Sequence, residues 1–440
     1  MDEITRIAGA PRRKPSAVKI VATDHVPSQP ERRKFLQVLS AQGIALPAVH
    51  FLLAAGNAGA ATGATSAAAG GLIVRDFEDS YVELIRLLRE AAEVEHALMV
   101  QYLYAAFSLK PAYAAVTGYG APNSNDMLGV AIQEMQHLGK VNELLVALGA
   151  TPHLVRQDFP YQHDIYPFEF NLEPLSQASL AKYVYTEAPA EALDRSKATS
   201  LTDRRFLDLI DRSLGGGTRP NHVGSLYDGI IRTLQEYIAA APPQTAPLRP
   251  WLAQLEDIKR EGEDRHYQFF RRVFLGTHEG FNGHPAVWSL PPTDPAYPAR
   301  PLPINPSAFV GHQNQIREPL ALSLAWLSNL HYWSILLLVD FAYQDGAADY
   351  VTLAKQQMLG PFMALARHLP TLGAGVPCEP LSTGYAPCRT TASRLRFVIS
   401  MVREADKLAR AIGEQLPPAY PTAVNENALA ALSQQLARYA

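Results

Sequence analysis

Three long helical stretches, each with a glutamate set into its apolar face, constrain this chain more than any other feature. From about 77 to 109 the apolar residues Leu84, Leu87, Leu88, Ala91, Leu98, Met99, Tyr102 and Ala106 recur at helical spacing. At about 100° per residue, Glu95 falls in the middle of that stripe, Glu93 on the opposite side and His96 at the flank. A second helix, about 123 to 149, places Glu134 and His137 among Met127, Ala131, Leu138 and Val141. A further helix, about 248 to 275, aligns Glu263 and His266 with Leu252, Tyr267, Phe270 and Phe274. A carboxylate buried on an apolar face needs a cation, a hydrogen-bond donor or a proton. Three such helices aimed inward point to one shared cation site.

The Glu-x-x-His spacing occurs at Glu93/His96, Glu134/His137 and Glu263/His266. About one such pair is expected by chance at ordinary composition, so the angular agreement, not the count, carries the argument. The three-residue spacing puts both side chains on one face, about one turn apart. Carboxylate oxygens with imidazole nitrogens suit iron or manganese. A lone Glu on one helix and Glu-x-x-His on the next is how ferritin-like di-iron bundles are built. The competing reading is a metal-free bundle held by buried salt bridges or protonated carboxylates.

The chain is all-α by pattern, with almost no alternating strand signal. Residues 72–283 read as a four-helix bundle, 284–316 as a proline-dense connector and 317–440 as a C-terminal helical extension. Within the bundle a short helix, 176 to 187, stops before Pro189, and 195 to 220 read as polar and broken by Gly215-Gly216-Gly217. The extension reads as helices over about 317 to 344, 349 to 369 and 391 to 414. The first is very apolar, but Glu318, Asn329, His331 and Asp340 mark it as a packing helix rather than a membrane span.

A complete set of four carboxylate-bearing helices asks for a lone Glu on the helix of about 221 to 241. Symmetry with the first half places it near Ser225, and the apolar stripe of Val223, Leu226, Tyr227, Ile230, Ile231 and Leu234 contains no acid. Asp228 and His222 flank the gap, and Glu187 is inward-facing beside Leu180, Tyr183 and Val184. If none of them fills it, the site holds one metal or an asymmetric pair.

The 440 residues are 48% hydrophobic and 18% charged, with a net charge of -3, which gives no footprint for a nucleic-acid partner. The first 71 residues have the order of a twin-arginine export signal and linker: a polar basic start, Arg32-Arg33-Lys34-Phe35-Leu36, a mildly apolar stretch to Ala55, then small residues with Ala58-Gly59-Ala60 as a cleavage site. That order predicts a periplasmic protein; the alternative is a basic tail and a helix on a cytoplasmic one. In an exported protein Cys378 and Cys388 can close a disulfide across their Pro/Gly-rich loop; otherwise they are free thiols.

The run Ala92-Glu93-Val94-Glu95-His96-Ala97-Leu98-Met99-Val100-Gln101-Tyr102 resembles the first helix of the ferritin-like domain in the iminophenylpyruvate dimer synthase family of violacein and bisindole pathways. Glu134-Met135-Gln136-His137-Leu138, Leu148-Gly149-Ala150-Thr151-Pro152 and Thr186-Glu187-Ala188-Pro189 are similar to later family segments. Val223-Gly224-Ser225-Leu226-Tyr227 resembles one that carries Glu where this chain has Ser225. The likeness runs from about 77 to 390. It implies a ferritin-like fold with Glu95, Glu134, His137, Glu263 and His266 as metal ligands, and it leaves the substrate open.

These readings converge on a non-haem oxidoreductase. It would use iron, as a di-iron centre or with mononuclear iron or manganese as alternatives, and O2 or peroxide on a small organic substrate. Tyr102 or Tyr267 would stand near the centre. Iron oxidation or storage, and a metal-free structural or binding module, are the competing functions.

Overall fold

A computed structural model describes residues 75–161, 166–215, 223–282, 286–345, 348–381 and 390–439. The export signal read over 1–71, His222 and Cys388 lie outside the described residues, while Cys378 is buried.

Helix α1 spans Ser80–Ser108 and α2 spans Met127–Ala147. α3 (Gln177–Glu187) and α4 (Leu201–Leu214) precede α5 (Val223–Ala240). The next helix is continuous but not uniform: α6 (Pro250–Arg260) runs into a π-turn, Glu261–His266, and then α7 (Tyr267–Phe274). α1 packs along α2 and α5, α6 packs on α5, and short α3 lies against α7. The bundle is therefore α1, α2, α5 and the α6–α7 rod, with α3 wedged beside the last.

The caps follow from sequence. Asp79 accepts from Val82 N at the start of α1, and Ser176 and Ser179 form a reciprocal capping pair on α3. α4 corrects the expectation of a broken polar stretch over 195–220. Ser200 caps it, Phe206, Leu207 and Ile210 bury one face, and the glycine signal marks its end, where Gly215 adopts a φ of 77°.

The C-terminal helices are α8 (Pro319–Asp345), α9 (Ala348–Gln357), α10 (Met363–His368), α11 (Thr391–Ile412) and α12 (Ala423–Leu436). A second π-turn, Met358–Phe362, joins α9 to α10 at Pro361, where a backbone donor is missing. α12 was not visible as a periodic stretch. α8 is long and apolar enough to cross a membrane, yet 72% of its most apolar window is buried within the protein. Its polar residues are paired inside. Asn329 donates to Glu379 at 2.6 Å, His331 meets Gln357 and Tyr420, and Tyr332 bonds His96 of α1 at 2.7 Å. Among the described residues the only β features are isolated bridges, so the chain is all-α.

The start of α2 sets the height of Glu134 and His137, and one carboxylate holds it. Asp126 accepts from Gly129 N and Asn123 N, both at 2.8 Å. A Cβ on Gly129 would come within 1.7 Å of Asn123 O, so only glycine fits this turn. Asp126→Ala should cost about 1 kcal/mol in denaturant unfolding, and Gly129→Ala about 1–3 kcal/mol because the backbone must move. Equal midpoints for Gly129→Ala and the parent would contradict this packing.

Candidate metal centre

Five buried side chains meet at the centre of the bundle. α1 supplies Glu95, α2 supplies Glu134 and His137, the last residue of α3 supplies Glu187, and the π-turn supplies His266. They form two triads, Glu95/Glu134/His137 and Glu134/Glu187/His266, with Glu134 common to both. Its two oxygens are divided between them. Glu134 Oε2 lies 2.9 Å from His137 Nδ1, and Glu134 Oε1 lies 2.9 Å from His266 Nδ1. The outer carboxylates mirror one another, Glu95 Oε2 at 3.7 Å from His137 Nδ1 and Glu187 Oε2 at 3.6 Å from His266 Nδ1.

The atoms that face inward are the ones left over. Glu95 Oε2, Glu134 Oε1 and His266 Nδ1 are buried without a hydrogen-bond partner; the His266–Glu134 contact is close but misaligned. Their outward counterparts are satisfied. Tyr227 donates to Glu95 Oε1 at 2.6 Å and Tyr102 to Glu187 Oε1 at 2.5 Å. Among the described residues no lysine or arginine forms an ion pair with Glu95, Glu134 or Glu187. The salt-bridged version of the metal-free reading therefore has no cationic side chain here except the histidines. Inward-turned carboxylate and imidazole lone pairs without partners fit a pair of cations.

Electrostatics follow the same division. Burial and then the charge of Glu134 push Glu95 up to about 7. Burial raises Glu187 as well, reinforced by Glu134. Burial also works against ionised Glu134, but His266 and His137 outweigh it and hold that carboxyl well below the usual range. Burial disfavours the His266 imidazolium, yet Glu134 and Glu187 raise its pKa to about 10.

Glu263 departs from the expected ligand set. It is half-buried at the rim of the cleft beside the triads, near Lys259 and Asp228, and burial raises its pKa to about 7. The cause is the π-turn. In an α-helix, positions three apart share a face. In a π-turn each residue is stacked on the one five positions away, so Glu261, not Glu263, lines up with His266. Glu261 accordingly reaches His137, its Oε2 at 3.1 Å from Nε2. Gly262 leaves room for Glu187, since a Cβ there would stand 3.0 Å from Glu187 Oε2.

On the side of the gap in α5 the carboxylate that meets the cluster is Glu187 of α3, and α5 contributes the Tyr227 hydroxyl. Asp228 is exposed and bonded to Lys259 at 2.7 Å, and Ser225 is not part of the cluster. Glu93 bonds His153 at 2.8 Å, so the first Glu-x-x-His takes no part. Tyr102 is part of the shell, whereas Tyr267 neighbours Arg271 and Asp203. Sequence reasoning missed Gln133 and Glu261, which bond the far nitrogens of the histidines. Gln133 directly precedes Glu134; Glu261 became visible only with the π-turn.

Residues 88–245 match the Ferritin-like family model, and the bundle is a ferritin-like domain. Dichlorochromopyrrolate synthase of Lentzea aerocolonigenes is 28% identical over 363 residues, covering 67% of this chain and 35% of that protein. The 2-imino-3-(indol-3-yl)propanoate dimerase of Chromobacterium violaceum is 31% identical over 167 residues, 30% of this chain and 16% of the dimerase. The chain thus spans about a third or less of the length of these curated relatives. No solved structure matches it.

The cluster makes stability depend on pH. A histidine raised from 6.5 to about 10 stabilises the fold fully below 6.5 and loses that contribution as pH rises through about 10. Glu134, held below 4.5, contributes above 4.5 and loses it in acid. Chelator-treated protein should therefore melt at progressively lower temperature as pH rises from neutrality toward about 10. Glu134→Gln should flatten that alkaline decline; an unchanged slope in the variant would contradict the pairing.

Proposed function

We propose that this protein is a ferritin-like non-haem oxidoreductase whose Glu95, Glu134, His137, Glu187 and His266 hold two irons and which acts with O2 or peroxide on a small organic molecule. The observation that carries the reading is the sharing of Glu134, one oxygen to each histidine, with unpartnered lone pairs around it. Iron held there would supply one-electron chemistry with O2 or peroxide, and the organic substrate, itself oxidised, would be the donor that returns the electrons. The protein's part is positional. Tyr227 and Tyr102 hold Glu95 and Glu187 by their outer oxygens and leave the inner ones turned toward the centre. Tyr102, Tyr183 and Phe270 pack ring to ring beside Glu187 and keep water from that side.

One relative is named as a synthase of dichlorochromopyrrolate and the other as a dimerase of an indolyl imino acid. That supports an organic substrate and leaves its identity to experiment. A second reading draws on the cleft at the triads, whose free volume is about 10 Å³, room for little more than one water. So narrow a cleft favours small inorganic species, and with them iron oxidation or peroxide removal. We also infer, from the Arg32-Arg33 segment and the small-residue tract after it, that the protein is exported by the twin-arginine route.

Metal analysis tests the central claim. The iron-reconstituted parent should hold about two irons per chain. Glu134→Ala should lose both, because its oxygens serve both triads, whereas Glu95→Ala and Glu187→Ala should each lose about one. A parent chain without metal after reconstitution would sink the proposal. Turnover of iron or peroxide without any organic substrate would select the second reading.

A further inference from the structure

We propose that Glu261 and Gln133 form one clamp that fixes the ring orientation and the ligating tautomer of both site histidines, Glu261 acting on His137 directly and on His266 through Gln133. The inference rests on the metal-centre reading above and adds two positioning residues to it.

The clamp is a chain of four side chains. His137 Nε2 faces Glu261 Oε2 at 3.1 Å, Gln133 Nε2 donates to Glu261 Oε1, and Gln133 Oε1 faces His266 Nε2 at 3.2 Å. Arg265 Nη1 also donates to Glu261 Oε1, at 3.1 Å. A carboxylate only accepts hydrogen bonds, so His137 must donate from Nε2. The same carboxylate orients the Gln133 amide, because its NH2 must face Glu261, which turns its carbonyl toward His266. A carbonyl only accepts, so His266 must also donate from Nε2. Both imidazoles then present Nδ1, the nitrogen that lies against Glu134, as the ligand atom. Partners on the far nitrogen of a ligating histidine fix its tautomer and orientation. Here a single carboxylate does so for two histidines on different helices. The π-turn makes this possible by stacking Glu261 over His266.

The clamp gives an effect at a distance. In Glu261→Gln the new carbonyl can still accept from His137 while the exposed Arg265 turns to solvent, but the new NH2 faces the NH2 of Gln133. Gln133 must turn over, and its NH2 then faces His266 Nε2. His266 must accept there and keep its proton on Nδ1, so it stops being a ligand although nothing in contact with it was replaced. Gln133→Glu alone sets two carboxylates against each other. The exchange Glu261→Gln with Gln133→Glu rebuilds the clamp in reverse, the new Glu accepting from His266 and from the new amide.

The full chain loaded with Co(II) tests this by proton NMR, where the N–H of a ligating imidazole gives a strongly shifted, solvent-exchangeable signal. The parent should show two such signals. Glu261→Gln should lose one and bind Co(II) about 10–100-fold more weakly; the double exchange should recover the second signal and most of the affinity. Two signals and parental affinity in Glu261→Gln would overturn the clamp while leaving the metal centre intact. Failure of the double exchange to recover the second signal would also overturn it. A parent chain that takes up no Co(II) would overturn the metal-centre reading, and the clamp with it.

Discussion

Glu134 is the side chain on which the centre of this protein depends. It is buried in α2, it faces two histidines at 2.9 Å with separate oxygens, and it lies between two other buried carboxylates. Three carboxylates in an apolar core are tolerable only with compensating charge. The surrounding fold is arranged to make that charge a matter of this cluster alone. No lysine or arginine among the described residues pairs with it, and the tyrosines that approach it do so from outside. The bundle helices are thus held together at mid-height by groups that would repel one another if fully ionised without a cation.

Much of this was legible in the sequence because it lies on regular helices. Placing Glu95 and Glu134 on apolar stripes needs only a uniform turn per residue, and α1 and α2 are uniform. The same arithmetic set Glu93 aside, and the structure pairs Glu93 with His153 instead. It failed at Glu263 because the helix there is not uniform. A π-turn adds one residue, so the apolar face beyond it is offset by about 100° from the face before it, and a single uniform wheel drawn across the rod misplaces what lies within the turn. Glu187 could be named but not placed, since a short helix ending before Pro189 gives no account of which neighbour it meets. Gln133 and Glu261 carried no signal of burial, as each looks like an ordinary polar surface residue.

The C-terminal helices are bound to the bundle by polar contacts as well as by packing. Tyr332 of α8 reaches His96 of α1, and Glu379 collects Asn329, Ser307 and the Ala308 backbone around itself. His96 is the neighbour in sequence of Glu95. The two side chains leave α1 in different directions, so a single pair of residues ties this helix to the extension on one side and to the carboxylate–histidine cluster on the other. A buried polar network of this kind specifies one arrangement of helices more strictly than apolar contact does.

The π-turn has a consequence for comparing sequences across relatives. It amounts to one extra residue in the α6–α7 rod, accommodated without a break in the helix. A chain with one residue fewer at this point would carry its Glu and His four apart, in an ordinary α-turn, and would still set both on the same face. Two proteins with the same centre would then show different spacings, and an alignment that insists on a fixed motif would pair Glu261 of this chain with the wrong residue or insert its gap inside the site. The length of the helix, rather than the identity of its acids, is what must be matched first.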